Sequence, residues 1–512
     1  MVSQQVQTIV LHNSAIHAIK NNSSTKFERD RLLKIASYIL GRAAWQGYNP
    51  SQFFDIPCQN LKARSGDNYR SDIEKLKALS VLDCNESYQT FKNGKKGTSK
   101  KYKFLELLSL PSLETVTLRK STLKKEKSLS NIEAKTLETL RKVSILVDKK
   151  VLTNKTTSHK AADYLKDKLL IATITPKTIF DRHVKGRVGE NIEDEMIGIT
   201  YYFEKNGSGA WVLDPISPNG RKESKRRGKQ AKSLALNGNY QLLQYKNDFI
   251  LTPSVDEFLQ FKTNEIQTLA YIQLESIRTG DLYSGRNEIN YRLDTSITNL
   301  SGILDKYLIL DGKPIKHFDL ANSQFIILST LISQILEGKG ELITLLKKHF
   351  AGDRANFLEH LNCLSGVVTT EGVKEDFKQF REASAVGKVY DDFAISAGID
   401  RDDAKKAFFL IAFGDTNLKG RLVKLFINTY PSVFGIVQRF KKDMSDFKQF
   451  PIFLQAVESC IFIDEILPLL FKKGLSPLSK HDSILLKSTE AILGEMAIKK
   501  VLDKVLVNYK IK

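Results

Sequence analysis

Most of the chain reads as helix. Apolar residues recur every three to four positions over 29–45, 58–64 and 69–79, a spacing that turns one face of a helix inward. The same period returns over 131–164, 255–278, 323–336, 338–390, 401–414, 421–442, 454–470 and 490–507. Alternation replaces it in a few short runs: 80–84, 102–105, 197–203, 211–213, 315–320 and the two arms around His481-Asp482. Gly66-Asp67 and Asp311-Gly312 mark turns. The stretch 111–130, with Arg119, Lys120, Lys124, Lys125 and Lys127, reads as a tether or exposed helix. Strand runs embedded in long helical stretches predict an α+β fold, with an antiparallel sheet carrying helices on one face in the C-terminal half.

Length and charge change this picture in two ways. A chain of 512 residues exceeds what one core holds, so the expectation is three parts: 1–110, 111–255 (a basic linker and thumb-like or accessory region) and 256–512. A net charge of +20 calls for a polyanionic partner. The basic residues cluster, with Lys95 and Lys96 in a Gly/Lys-rich tip at 92–101 and Arg226 and Arg227 in a cationic loop at 215–230. Phosphate backbone is the natural partner of both. Helix, turn, helix and basic hairpin is the order of a winged helix over 1–110, with Arg70 on the groove-reading helix. Cys58, Cys84, Cys363 and Cys460 form no CxxC pair, which argues against a zinc site or a disulfide framework. The longest apolar candidate, 325–336, is broken by Ser329, Thr330, Ser333 and Gln334 and is too short to span a bilayer. With no basic-then-apolar leader either, the expectation is a cytoplasmic chain with no membrane partner.

The candidate chemistry lies in the C-terminal half. Lys316-His317-Phe318-Asp319 and Lys480-His481-Asp482-Ser483 each set an aspartate at the end of a β-compatible run. Two carboxylates on separate strands suit a pair of Mg²⁺ ions, with Mn²⁺ as a possible substitute, because such ions take few protein oxygens and keep the rest of their shell for water and phosphate. Between them Arg401, Lys405, Phe409 and Phe413 recur every fourth residue on one helix face. Cations at one end can take a triphosphate, and rings further along can face base and sugar. Taken singly, each feature is ordinary: a strand-end aspartate is usually a cap, and a cationic stripe is usually a solvated face.

In their order these residues resemble the family A polymerases, bacterial DNA polymerase I and the single-subunit phage and mitochondrial RNA polymerases. Phe318-Asp319-Leu320-Ala321-Asn322-Ser323-Gln324 resembles motif A, Arg401-x3-Lys405-x3-Phe409-x3-Phe413-Gly414 resembles motif B, and His481-Asp482-Ser483 resembles motif C. Arg292-Leu293 followed by Asn299-Leu300, and Gln455 before motif C, match two further elements. The resemblance implies a right-hand polymerase, an antiparallel palm sheet with helical fingers, acting on primer-template DNA or RNA and nucleoside triphosphates. It implies that Asp319, Asp482 and the Leu320 carbonyl hold the metals. Arg401 and Lys405 would bind the triphosphate, with Lys405 protonating the pyrophosphate leaving group. Phe409, Phe413 and Gln324 would meet base and sugar, while Arg292, Asn299, Gln455 and His481 would hold primer terminus and template.

The departures bear on the product. Phe413 stands where both branches carry tyrosine, and Gln324 stands where the DNA enzymes have the glutamate that blocks a ribose 2′-oxygen. Bulk at Gln324 favours deoxynucleotides, while Ser483 after Asp482 is the form of the RNA enzymes. The expectation is a template-directed DNA polymerase, suited to a phage, plasmid or other mobile element. An RNA polymerase or primase-like enzyme of the same fold, and an inactive replication-initiator or nucleic-acid-binding protein, stay open as alternatives.

Overall fold

The computed structural model describes residues 6–46, 54–56, 60–62, 68–85, 101–104, 113–119, 129–146, 169–170, 200–205, 211–216, 241–245, 248–252 and 255–512. Two units emerge: Met1–Lys124, Ile145–Asp281 and Leu300–Tyr307 form one, and Lys125–Ser144, Leu282–Asn299 and Leu308–Lys512 the other.

In the first unit Val6–His12 and Leu113–Arg119 pair antiparallel along their full length, Val6 opposite Arg119 and His12 opposite Leu113. This corrects the expectation of a tether or exposed helix from residue 111. Leu-Glu-Thr-Val-Thr-Leu-Arg has the β-branched content of a strand, and it buries Leu113 and Leu118; the lysines from 120 to 127 lie outside the described residues. Helices Lys26–Gln46 and Tyr69–Ala78 are tied by Arg31 Nε to Asp72, 2.6 Å, with Asp72 itself buried. Beside them is a three-stranded antiparallel sheet in the order Phe54–Asp55, Lys101–Phe104, Leu82–Asn85. A second, five-stranded sheet includes the hairpin Gln241–Tyr245/Asp248–Thr252 and the pair Thr200–Lys205/Trp211–Ile216. The helix Val255–Arg278 spans the expected residues, and its Tyr271 hydroxyl lies 3.1 Å from Thr115 Oγ1.

The second unit is α+β, with an antiparallel sheet under a mass of helices. Its strand order is Leu478–Lys480, Ser483–Lys487, Lys313–Asp319, Leu308–Leu310, Val143–Ile145. The last strand corrects the expected long helix over 131–164: a helix with a Ser130/Glu133 capping box ends at Leu140, and the chain turns into the sheet. Ser323–Leu336 is buried on every side from Phe325 to Gln334. Its near-uniform apolarity is therefore that of a core helix. Helices Glu341–His349, Asn356–Glu371, Glu375–Ala385 and Val389–Ala397 follow, then Arg401–Phe413. Phe408 is the hub of the aromatic core here, with ring centroids of Phe325, Phe426, Tyr390 and Phe393 at 4.9, 5.0, 5.2 and 5.4 Å.

Two expected helices prove to be composite. The run 421–442 breaks at Tyr430, because Pro431 lacks the N–H to continue a helix but suits the first turn of the next, Pro431–Asp443. The run 454–470 belongs to Gln449–Ser459, a π-helical turn Cys460–Ile466 and Leu467–Lys472. Among the described residues no helix is long and apolar enough to cross a membrane.

Candidate active site

Asp319 ends its strand directly opposite Ser483, the first residue after Asp482 in the facing hairpin. This register sets the two aspartates side by side, and the Leu320 N–H donates to the Asp482 carbonyl at 3.4 Å. On its other edge Asp319 exchanges backbone hydrogen bonds with Lys512, and Ala321 N–H donates to Lys510 O at 2.9 Å. That second pairing had no counterpart in the sequence reading. The segment 506–512 also walls a cleft of about 880 Å³ with Lys316, Phe318 and Lys499.

Burial pushes the Asp319 carboxyl up to about 6, the charge of Asp482 adds to the rise, and Lys512 opposes it. Two mutually repelling carboxylates held together by backbone are a donor set that a divalent cation would neutralise. Among the described residues no group of three or more His, Cys, Asp or Glu could hold a metal. The donors here fit Mg²⁺ in the sparse manner that such ions accept, with most of the shell left to water and phosphate.

A buried polar network stands behind the pair. The chain leaves the Asp319 strand through Leu320 and Ala321, turns at Asn322 in a left-handed conformation (φ 54°) and enters the buried helix at Ser323. Ser323 Oγ lies 2.9 Å from Asp482 Oδ2 and 2.6 Å from Glu458 Oε1. Arg292 donates to the other oxygen of Glu458, a carboxylate only 1% exposed. Burial drives the Glu458 carboxyl up, and the Arg292 charge draws it back. One turn earlier on the same helix Gln455 accepts from Asn290, 2.8 Å. Asn290 and Arg292 sit at the tip of the hairpin Ser284–Arg286/Leu293–Thr295. Arg286, at the loop end of the first strand, fastens the hairpin there: its guanidinium grips Asp464 at 2.6 and 2.9 Å, and its Nε donates to the Tyr291 carbonyl at 2.6 Å. Arg354 reaches the same carboxylate at 2.7 Å.

Ser323 and Glu458 were not among the expected site residues. A signal existed: Glu458 is a lone acid in an apolar helical run, three residues after Gln455 and so on the same face.

His481 is the first of two loop residues between Lys480 and Ser483, and its φ of 58° is uncommon for a residue with a side chain. Its imidazole pKa is lowered, by burial first and then by the Arg292 charge, and its Nδ1 is buried without a hydrogen-bond partner. Arg292 Nε is likewise buried and unpartnered.

The Arg401–Phe413 helix presents its stripe as the spacing predicts. Arg401, Lys405 and Phe409 are exposed and Phe413 half-buried, while Ala404, Ala407, Phe408 and Ile411 face the core. Phe409 and Phe413 stack at 5.4 Å, and the Lys405 ammonium lies 5.7 Å over the Phe409 ring. Arg401 pairs with Asp391 at 2.8 Å on the surface and covers the Tyr390 ring at 5.7 Å. Burial pushes the Tyr390 phenol up to about 12; Arg401 draws it down and Asp482 pushes it further up. Tyr390 thus feels both the carboxylate pair and the cationic end of the helix. At the far end the ammonium of Lys441, 1% exposed, donates to the carbonyls of Ile411 and Gly414, each at 2.6 Å.

Asp319, Leu320, Asp482, Arg292, Gln455 and His481 are brought together by this arrangement. Gln324 lies half-buried in the first turn after Ser323, and Asn299 is exposed. Arg70 is in the first unit, exposed on its helix with the guanidinium 5.8 Å over the Tyr69 ring. Lys95, Lys96, Arg226 and Arg227 lie outside the described residues. No family model matches the chain, and no curated protein matches it.

Proposed function

We propose that the chain is a template-directed nucleotidyltransferase of the right-hand, family A-like kind, extending a DNA primer. The observation that carries this reading is the register of Asp319 against Ser483, which sets two carboxylates, remote in sequence, at one end of an antiparallel sheet. Two Mg²⁺ ions held by Asp319, Asp482 and the Leu320 carbonyl would supply charge neutralisation for the attacking and leaving oxygens. The chain's own residues do the rest. Arg401 exchanges its exposed ion pair with Asp391 for the triphosphate, a cheap exchange because surface pairs are worth little. Lys405 binds the same phosphates and delivers a proton to the departing pyrophosphate. The stacked Phe409 and Phe413 rings receive base and sugar, Gln324 crowds the 2′-position, and Arg292, Gln455 and His481 hold the primer terminus. In the first unit, the two helices and the three-stranded sheet act as a winged-helix-like module that brings nucleic acid to the enzyme through Arg70.

Ser483 directly after Asp482 favours a second reading, an RNA polymerase of the same fold. Primer extension on a short DNA template with Mg²⁺, run with deoxynucleotides and ribonucleotides in parallel, tests both. Template-length product from the wild type and none from Asp319→Ala or Asp482→Ala is the expected result, and the sugar accepted decides between the readings. A blank from the wild type with both nucleotide sets, primed and unprimed, would sink the enzyme reading in favour of a binding protein.

A further inference from the structure

The Ser323 hydroxyl stands between two carboxylates, 2.6 Å from Glu458 Oε1 and 2.9 Å from Asp482 Oδ2. A hydroxyl carries one proton, so it donates to only one of them at a time. With both carboxylates ionised, the contact left over sets lone pair against lone pair, in a place where Glu458 is fully enclosed and unpaired polar atoms are costly. The hydroxyl therefore has two orientations, and the charge on Asp482 chooses between them. With Asp482 bare, the proton is contested. With a divalent cation on Asp482, that carboxylate's demand is met by the metal and the proton turns to Glu458. Glu458 is also the anchor of Arg292, in the loop of a hairpin that Arg286 fastens to Asp464 and Asn290 fastens to Gln455. Completing the hydrogen bonding of Glu458 firms the carboxylate on which the Arg292 guanidinium rests.

We propose that Ser323 and Glu458 are positioning residues that couple cation binding at Asp482 to the grip of Arg292 on the primer terminus. The coupling rests on the reading of Asp319 and Asp482 as a metal site and of Arg292 as a primer contact. Neither residue touches substrate; each acts through a neighbour. Coupling between two ligands is reciprocal, so the cation tightens primer binding by the same factor by which primer tightens the cation.

The test measures Mn²⁺ binding, by the paramagnetic resonance signal of the free ion, with and without a short duplex bearing a recessed 3′ end. Duplex affinity is measured in turn by fluorescence anisotropy with and without Mn²⁺, and a blunt duplex controls for general screening of DNA charge. For the wild type we expect mutual tightening of about five- to tenfold, confined to the recessed duplex. In Ser323→Ala and Glu458→Gln the factor falls to about one. Should Glu458→Gln fail to fold, Ser323→Ala carries the result, since it removes the shared proton and leaves the Arg292–Glu458 pair in place. If the wild type binds Mn²⁺ with no effect on primer affinity, or Ser323→Ala keeps the full factor, the coupling is refuted while the metal site stands. If the wild type binds no Mn²⁺ at all, the site reading fails and the coupling falls with it.

Discussion

Asp319 shows what it costs to bury one carboxylate beside another. Its carboxyl is raised from the ordinary 3.8 to about 6, first by burial and then by Asp482. Between these two values the folded chain holds a proton that the unfolded chain has lost, so stability falls as pH rises through that window. Above about pH 6 the penalty is complete, on the order of 1–2 kcal/mol once partial exposure is discounted. Asp319→Asn should therefore melt higher than wild type at pH 7.5 in a chelator, with the advantage vanishing near pH 4. Added Mg²⁺ should raise the wild-type melting temperature and leave the variant almost unmoved. Equal Mg²⁺ shifts in both would remove Asp319 from the metal site. Asp319 and Asp482 were legible as acids that end β-compatible runs, but singling them out as a pair took the order of the motifs around them and not either run alone. Glu458 stands out locally as a lone acid in an apolar run, but its tie through Ser323 to Asp482 joins distant segments that no local pattern connects.

The Arg401–Phe413 helix was also legible, since its exposed stripe and its buried Ala404, Ala407 and Phe408 follow from a four-residue period. What holds its far end was not. Lys441 arrives from another helix and caps the carbonyls of Ile411 and Gly414, while burial pulls its ammonium down to about 8 and Asp415 pushes back. Because the folded value lies below the ordinary 10.5, the unfolded chain binds more protons between about pH 8 and 10.5, and stability rises with pH across that interval. Tyr390 and Tyr430, both raised to about 12, oppose the trend only above pH 10. Lys441→Met removes the rise and strands two carbonyls, at about 1–3 kcal/mol each. Urea midpoints at pH 7.5 and 9.5 should diverge, wild type gaining on the variant at the higher pH. Parallel midpoints would mean that Lys441 does not titrate there. The same variant should weaken nucleotide binding, because the released carbonyls adjoin Phe413.

At the scale of the chain, what escaped the sequence is long-range pairing. Nothing near Val6–His12 announces Leu113–Arg119, and nothing near Asp319 announces 510–512. The register of such strands is fixed by a partner far along the chain, whereas helical period is written in consecutive residues. Charge is the opposite case, since a sum needs no partner: the +20 balance was plain from composition alone. Its consequence is separable from chemistry. If nucleic acid is held through the cations of the first unit and processed at Asp319 and Asp482 in the second, binding and catalysis should respond to different substitutions. Duplex affinity should fall steeply with salt, each phosphate contact adding about one to the logarithmic slope. Arg70, exposed and lying over Tyr69, is one such contact in this account. Arg70→Ala should weaken binding about equally across unrelated sequences and lower the slope by about one, with stability within about 0.5 kcal/mol of wild type. Asp482→Ala should leave the slope measured without metal unchanged and abolish synthesis. A slope that Arg70→Ala does not alter would take that helix out of the nucleic-acid interface. A slope that Asp482→Ala steepens would mean that the carboxylate pair itself repels the duplex, and that binding and chemistry share one surface.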